Sequence, residues 1–147
     1  MKTAVIGNGD AAFEQVKAIR FRVFCDEQQV PLSLELDEYD TDARTRYVLV
    51  YDGEQPVATG RMIQTEKGCK LGRIAALREY RGRGCGAAVV GALCEAAGAQ
   101  GAASVYLEAQ LHAIPFYEKC GFTVASDEII MDAGIAHKMM TKDLKNG

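Results

Sequence analysis

A glycine-rich stretch decides the fold of this chain, and it runs Arg81-Gly82-Arg83-Gly84-Cys85-Gly86. It stands between a segment predicted as a strand, residues 70–77, and one predicted as a helix, residues 87–97. Backbone N–H groups at the start of a helix converge on an anion, and glycine lets a phosphate approach the backbone closely. Several arginines surround the stretch in a chain whose net charge is −3: Arg73, Arg78, Arg81 and Arg83. The stretch is therefore predicted to bind phosphate groups.

Three phosphate-binding motifs could account for this loop. A Walker A loop is excluded because the sequence has no Gly-Lys-Ser/Thr. A dinucleotide fingerprint is formally satisfied by Gly82, Gly84 and Ala87. A dinucleotide-binding loop should open a series of βαβ units. The loop at residues 81–86 instead follows a predicted antiparallel meander, and too little chain remains after it for such a series. The third motif, Arg/Gln-x-x-Gly-x-Gly/Ala, is matched by Arg81, Gly84 and Gly86.

The segments around the loop predict a mixture of strands and helices. Strands are expected at residues 3–7, 46–51, 56–65, 70–77, 104–109 and 122–125, with a closing hairpin of 128–131 and 135–140. The apolar spacing of residues 13–24 predicts a first helix, with Arg20 and Arg22 turned away from its apolar side. A short helix is expected at 114–119, and residues 25–42 form an acidic loop. Asp52-Gly53 predicts a hairpin and Gly60 a β-bulge.

Length and composition predict one domain over residues 1–147, because 48% hydrophobic content can bury one sizeable core. The chain has no apolar stretch of about 18 residues, so no membrane span is predicted. Residues 1–10 lack the features of a secretory signal, and we expect a cytoplasmic protein. The five cysteines show no metal-ligand spacing, so neither disulfides nor a metal site is expected. The acidic balance disfavours nucleic acid as a partner.

The glycine-rich stretch and a second motif resemble the GNAT superfamily of N-acetyltransferases. The second motif, residues 113–122, is Ala-Ile-Pro-Phe-Tyr-Glu-Lys-Cys-Gly-Phe and is similar to a later helix-to-strand segment of that superfamily. Further similarity to a small bacterial subgroup lies in residues 22–24, 27–28 and 132–137. The resemblance implies an α/β fold with a central mixed, mostly antiparallel sheet of six or seven strands flanked by about four helices.

The resemblance also implies acetyl-CoA as the cosubstrate. Two strands, one carrying Ala76 and the other Leu107, are expected to splay apart at their ends and hold the thioester between them. The cofactor-binding residues that the resemblance implies are Ile74, Ala76, Leu77, Arg81, Gly82, Arg83, Gly84, Cys85, Gly86, Ala87, Gln110 and Phe116.

Acetyl transfer needs an acid for the departing thiolate, donors for the developing oxyanion, and a base for the amine. Tyr117 is the candidate acid, and a backbone N–H at Ala76 or Leu77 is the expected oxyanion donor. Glu108 is the first candidate base because it lies on the strand leading into the cleft. Other candidates for the base are His112, Glu35, Asp37 and a water chain; His137 is more typical of a packing residue. Arg22, Glu27 and Gln28 are expected to contact substrate.

The function expected from these residues is an N-acetyltransferase that acts by direct transfer in a ternary complex. A non-catalytic acyl-CoA-binding module is the alternative, and a nicotinamide-dinucleotide-binding protein is a third hypothesis. The acceptor is expected to be an amine of a small molecule or peptide. The acidic segment 26–42 either recruits a cationic amine or is a solvated loop. The terminal hairpin offers an edge through which a homodimer could form.

Overall fold

The computed structural model describes residues 1–31 and 35–144, so residues 32–34 of the predicted acidic loop lie outside it. An open sheet of eight strands organises the fold. The strands are β1 (Lys2–Gly7), β2 (Arg46–Asp52), β3 (Gln55–Thr65), β4 (Gly68–Ala76), β5 (Ser104–Gln110), β6 (Thr123–Val124), β7 (Ile130–Asp132) and β8 (Ile135–Asp143). Their order is β1-β2-β3-β4-β5-β8-β6, and β7 also pairs with β8. Only the β4–β5 pair is parallel among the described strands. The mixed, mostly antiparallel sheet is confirmed, with one or two strands more than the six or seven that the resemblance implied.

Three α-helices lie in the described part of the chain: α1 (Phe13–Arg20), α2 (Cys85–Ala99) and α3 (Ile114–Lys119). α1 continues directly into a π-helical segment, Phe21–Glu27, so the first helical region extends further than its apolar spacing predicted. The expected number of helices was about four. No described helix has the length and apolar character needed to cross a membrane.

Helices cover both faces of the sheet, and β2 is buried between them. Tyr47 and Leu49 belong to an apolar cluster with Val16 of α1. Val48, between them in sequence, belongs to the cluster on the opposite face with Leu93 of α2. This alternation follows from the period of a strand, in which successive side chains point to opposite faces. The two clusters hold α1 and α2 on opposite sides of β2.

Gly60 marks a β-bulge, as predicted. Thr59 pairs with Ala75 and Arg61 with Gly72, so the single residue Gly60 lies opposite two residues of β4, Arg73 and Ile74. A Cβ placed on Gly60 would lie 2.5 Å from Val89 Cγ1 of α2. Glycine is therefore required at this point, because the helix packs directly against the strand backbone.

The pairing of β4 with β5 is short. It comprises Cys69 with Val105 and Lys70 with Tyr106. Beyond these pairs the two strands separate, which confirms the predicted splay between the strand carrying Ala76 and the strand carrying Leu107. The rest of β5 stays paired to β8, up to Gln110 opposite His137. The separation opens the sheet between β4 and β5.

Candidate functional site

A cavity of about 530 Å³ lies where β4 and β5 diverge. β4 contributes residues 70–74 to its wall and β5 contributes residues 107–110. Among the residues proposed from the sequence, Gln28, Ile74, Glu108, Gln110 and Tyr117 line it, and so do the alternative candidate bases Glu35, Asp37 and His112. The cavity therefore brings together both candidate catalytic residues and part of the predicted cofactor set.

The glycine-rich loop leads directly into α2, as predicted. Gly84 is the N-cap residue, with φ of 84°, and Gly82 has φ of 77°. These left-handed conformations favour glycine, which has no Cβ to clash with the backbone. A Cβ built on either glycine would meet no atom within 4 Å, so the loop backbone is open to a ligand. An anion placed there would face the N–H groups of the first turn of α2.

Arg81 and Arg83 of the loop have different surroundings. Arg81 Nε donates to the carbonyl of Ala76 at 3.1 Å, and its Nη2 lies 2.6 Å from Glu27 Oε1. The Arg83 guanidinium lies 4.9 Å from the centre of the Tyr80 ring, at the distance of a cation–π contact. Both cations are thus held beside the loop by neighbouring side chains.

Two other predicted cofactor residues, Leu77 and Cys85, are buried, whereas Phe116 and Ala87 are exposed. The Leu77 N–H donates to Val57 O at 2.9 Å, so it is already used within the fold. The prediction that this N–H could serve as the oxyanion donor is therefore wrong. Cys85 is buried, with Sγ 3.4 Å from Met1 Sδ. Phe116 packs beside the loop, since a Cβ built on Gly86 would lie 3.2 Å from its ring. Ala87 lies in the first turn of α2.

Tyr117 lies among aromatic rings at the side of the cavity. Its ring centre is 5.0 Å from that of Phe116 and 6.0 Å from that of Phe122, both in edge-on geometry. Burial, with a smaller effect from Cys120, raises the pKa of Tyr117 to about 12. The hydroxyl therefore keeps its proton at neutral pH and is available as a donor.

Glu108 lies on the face of β5 that the alternation predicted. Val105, Leu107 and Ala109 are buried, whereas Glu108 and Gln110 on the other face are partly exposed. The Glu108 carboxylate pairs with Lys70 Nζ at 3.3 Å, and both side chains are about a quarter exposed. Glu108 is thus an ion-paired carboxylate that still reaches the cavity.

A buried ionic cluster beside the cavity was missed by the sequence reasoning. Arg20 is fully buried, so the prediction that it turns away from the apolar side is wrong. Its guanidinium donates to the carboxylates of Glu35 and Asp40 and to the Glu35 carbonyl. Burial alone would lower the pKa of Arg20, but the hydrogen bonds with Asp40 and Glu35 outweigh it and raise the value. The helical spacing of apolar residues in α1 gave no signal for these partners, which follow later in the chain, with Asp40 in a 3-10 helical turn, Glu38–Thr41.

Two more arginines neutralise the acidic segment. Arg61 donates to both oxygens of Asp37, at 2.7 Å each, and to Asp40. Arg73 donates to Asp37 and to the carbonyl of Glu35. Burial opposes ionisation of Asp37, yet these arginines, Arg61 above all, lower its pKa. Five of the seven carboxylates of segment 26–42 are paired with arginines: Glu27, Glu35, Asp37, Asp40 and Asp42. The segment is therefore neither a solvated loop nor an open acidic collar.

The predicted substrate-binding residues separate into different locations. Gln28 lines the cavity, together with Phe24 of the π-helical segment. Glu27 instead pairs with Arg81 of the loop, and Arg22 is exposed. Neither Glu27 nor Arg22 is among the described residues that line the cavity. Within residues 1–31 and 35–144, no group of three or more His, Cys, Asp or Glu side chains is arranged to hold a metal ion.

Comparison with known proteins agrees with this geometry. The sequence model of the acetyltransferase (GNAT) family matches residues 13–122. A relative described as an uncharacterised N-acetyltransferase, YjcF of Bacillus subtilis (strain 168), is 39% identical over 140 residues, covering 95% of this chain and 99% of the relative.

Two solved structures share the fold. An acyl-CoA N-acyltransferase from Pseudomonas aeruginosa superposes with a TM-score of 0.84 at 24% identity, over 96% of this chain and 98% of that one. An aminoglycoside 6'-N-acetyltransferase complexed with coenzyme A superposes with a TM-score of 0.79 at 15% identity, over 100% and 99% of the two chains.

Proposed function

Because the chain belongs to the acetyltransferase (GNAT) family, we propose that it transfers an acetyl group from acetyl-CoA to a primary amine by direct attack in a ternary complex. One observation carries the proposal: an open glycine loop at the start of α2 lies beside two strands that separate around a cavity. The loop suits a pyrophosphate, and the cavity suits the acyl group and its acceptor.

Coenzyme A binds along β4 and the glycine loop in this proposal. The pyrophosphate contacts the backbone N–H groups of residues 82–87, and Arg81 and Arg83 supply positive charge. The pantetheine arm runs along Ile74 and Ala76 towards the cavity, with Gln110 and Phe116 on the other side. Leu77 contributes packing, because its N–H already bonds to Val57.

The thioester lies in the gap between β4 and β5. The bulge at Arg73 and Ile74 interrupts the ladder with β3, and residues displaced at a bulge can direct backbone groups towards a ligand. We assign the oxyanion contact to this part of β4, with Ile74 at the cavity wall. A donor fixed there would stabilise the negative charge that develops on the thioester oxygen.

Tyr117 donates the proton that the departing thiolate needs. The assignment is supported by its position at the cavity wall and by the raised pKa that keeps its hydroxyl protonated. Glu108 provides negative charge beside the amine as it loses its proton, and its pairing with Lys70 fixes the carboxylate at the cavity wall. The amine nitrogen gains the acetyl group, and coenzyme A leaves as its thiol.

The acceptor is a small molecule or peptide that carries a primary amine. Strong attraction of a polycation is disfavoured, because arginines neutralise the acidic segment beside the cavity. The carboxylates of Asp37 and Glu108 are partly exposed at the cavity wall, so they can attract a single ammonium group.

A transfer assay tests the proposal. The purified protein is incubated with acetyl-CoA and spermidine, lysine, an aminoglycoside or a peptide with a free amino terminus, and products are identified by mass spectrometry. We expect enzyme-dependent acetylation of at least one amine, and its loss in Arg81→Ala at limiting acetyl-CoA. Coenzyme A binding without transfer to any amine would indicate instead the non-catalytic acyl-CoA-binding module.

A further inference from the structure

His137 occupies a constrained position at the wall of the cavity. It lies on β8, opposite Gln110 of β5, and is only 9% exposed. Side chains directly opposite one another in antiparallel strands lie on the same face of the sheet. His137 therefore shares a face with Gln110, and with Glu108 two positions earlier on β5. All three line the cavity.

One ring nitrogen of His137 is bound to the backbone of its own strand. Nδ1 lies 2.7 Å from the carbonyl oxygen of Ile135. A carbonyl only accepts hydrogen bonds, so Nδ1 carries the proton and donates it. In a neutral imidazole the other nitrogen, Nε2, then has a free lone pair. The contact fixes both the tautomer and the orientation of the ring.

The Nε2 atom of His137 is accessible, and the residue lines the cavity. Among the described residues, the only side-chain nitrogen or oxygen that is both sealed from solvent and without a hydrogen-bond partner is Arg61 Nε. His137 makes one described side-chain hydrogen bond, the one through Nδ1. Because Nε2 is neither sealed nor bonded to another described residue, and because the ring lines the cavity, a ligand there can reach it.

We propose that His137 is a catalytic residue that accepts the proton of the acceptor amine at Nε2. The inference rests on the proposed acetyl transfer and adds a residue to it. As the amine nitrogen bonds to the thioester carbon, its N–H bond breaks, the bonding pair stays on nitrogen, and the proton forms an Nε2–H bond. The imidazolium later releases this proton to solvent through the cavity.

His137 accepts the proton in this scheme, and Glu108 supplies negative charge beside the amine. Its carboxylate is held by Lys70, and it lies on the same face as His137 at a diagonal position in the β5–β8 pair. The cavity is also lined by other charged or titratable residues, among them Lys70, His112, Asp132 and Tyr117.

The substitution His137→Asn tests the role of Nε2. The asparagine amide can keep a hydrogen bond to the Ile135 carbonyl, while the distal nitrogen is lost. For the amine most rapidly acetylated in the transfer assay, we expect kcat/KM to fall about 100-fold, with the dissociation constant of coenzyme A unchanged. Unchanged kcat/KM would overturn the proposal. So would a loss of activity in His112→Asn while His137→Asn remains active.

The tautomer provides a second readout that needs no acceptor. Two-bond proton–nitrogen NMR spectra of histidine-labelled full-length protein separate the two neutral tautomers, and His137→Asn assigns the signals of the two histidines. We expect His137 to be protonated at Nδ1, whereas protonation at Nε2 in the neutral ring would overturn the proposal. A wild-type protein that acetylates nothing would refute the proposed function before any variant is compared. An active wild type with an equally active His137→Asn would refute only the role of His137.

Discussion

The carboxylate of Glu27 accepts a hydrogen bond from Arg81 Nη2 at 2.6 Å, and this contact joins the π-helical segment to the glycine loop. Phe24, from the same π-helical segment, lines the cavity. The Arg81 side chain is 44% exposed, so the ion pair itself adds little stability. Its consequence lies in the cofactor site, where Glu27 competes for the arginine proposed to face the pyrophosphate.

Replacing Glu27 by glutamine should tighten the binding of coenzyme A about threefold. The substitution removes a carboxylate that competes with the pyrophosphate for Arg81, and exposed ion pairs of this kind contribute about 0.2–1 kcal/mol. Isothermal titration calorimetry measures the change. Glu14→Gln removes the partner of Lys17 on α1 and should leave the affinity unchanged. Weaker binding by Glu27→Gln would show that Glu27 positions Arg81 for the cofactor.

The buried carboxylate of Asp40 should make stability depend on acid pH. Burial opposes its ionisation, but hydrogen bonds from Arg20 and Tyr47 outweigh burial and hold the pKa of Asp40 well below its usual range. The unfolded chain therefore binds a proton near pH 4 that the folded chain does not. This contribution is complete above that pH and is lost as the pH falls further.

Asp40→Asn tests this contribution by urea unfolding at several pH values. We expect the free energy of unfolding at neutral pH to fall by about 3–5 kcal/mol, because Arg20 loses a buried partner. The variant should also lose part of the acid dependence. Asp42→Asn, which alters an exposed pair with Arg44, is the control and should change stability little. Identical pH profiles for wild type and Asp40→Asn would contradict this account.

Gly60→Ala should destabilise the fold by about 1–3 kcal/mol through overpacking. The new Cβ would lie 2.5 Å from Val89 Cγ1 and 3.0 Å from Leu93 Cδ1, so α2 would have to move away from β3. Thermal or urea unfolding measures the change. Gly91→Ala is the matched control, since nothing lies within 4 Å of its Cβ, and within α2 it should stabilise the protein by about 1 kcal/mol. Equal effects of the two substitutions would contradict the close contact at Gly60.

Tyr117→Phe should lower kcat about 100-fold and leave the affinity for coenzyme A nearly unchanged. The substitution keeps the aromatic contacts with Phe116 and Phe122 but removes the proton donor. Because the pKa of Tyr117 is raised to about 12, its ionisation should not limit the rate at neutral or mildly alkaline pH. Steady-state kinetics measure the effect, and unchanged kcat would remove Tyr117 from the mechanism.

The sequence predicted features that arise from local pattern. The left-handed conformations of Gly82 and Gly84, the start of a helix after them and the helix Ile114–Lys119 follow from glycine, proline and apolar spacing near each other in the chain. The bulge at Gly60 was also signalled by a single glycine within a strand.

Features that depend on distant partners could not be predicted in the same way. Arg20 is buried because Glu35 and Asp40, which follow 15 and 20 residues later in the chain, fold back onto it, and no spacing rule predicts such a contact. The use of the Leu77 N–H by Val57 depends on how β3 and β4 pair, which becomes visible only in three dimensions. The fixed ring of His137 likewise depends on the backbone at Ile135.

The central claim, that this cavity and loop hold coenzyme A, is tested most directly by a thermal-shift titration with coenzyme A, acetyl-CoA and NADH. A ligand at a hundred times its dissociation constant stabilises a folded protein by about 2.7 kcal/mol. We predict a rise in Tm with both coenzyme A species and none with NADH. A folded sample whose Tm is unchanged by coenzyme A and acetyl-CoA would contradict the account.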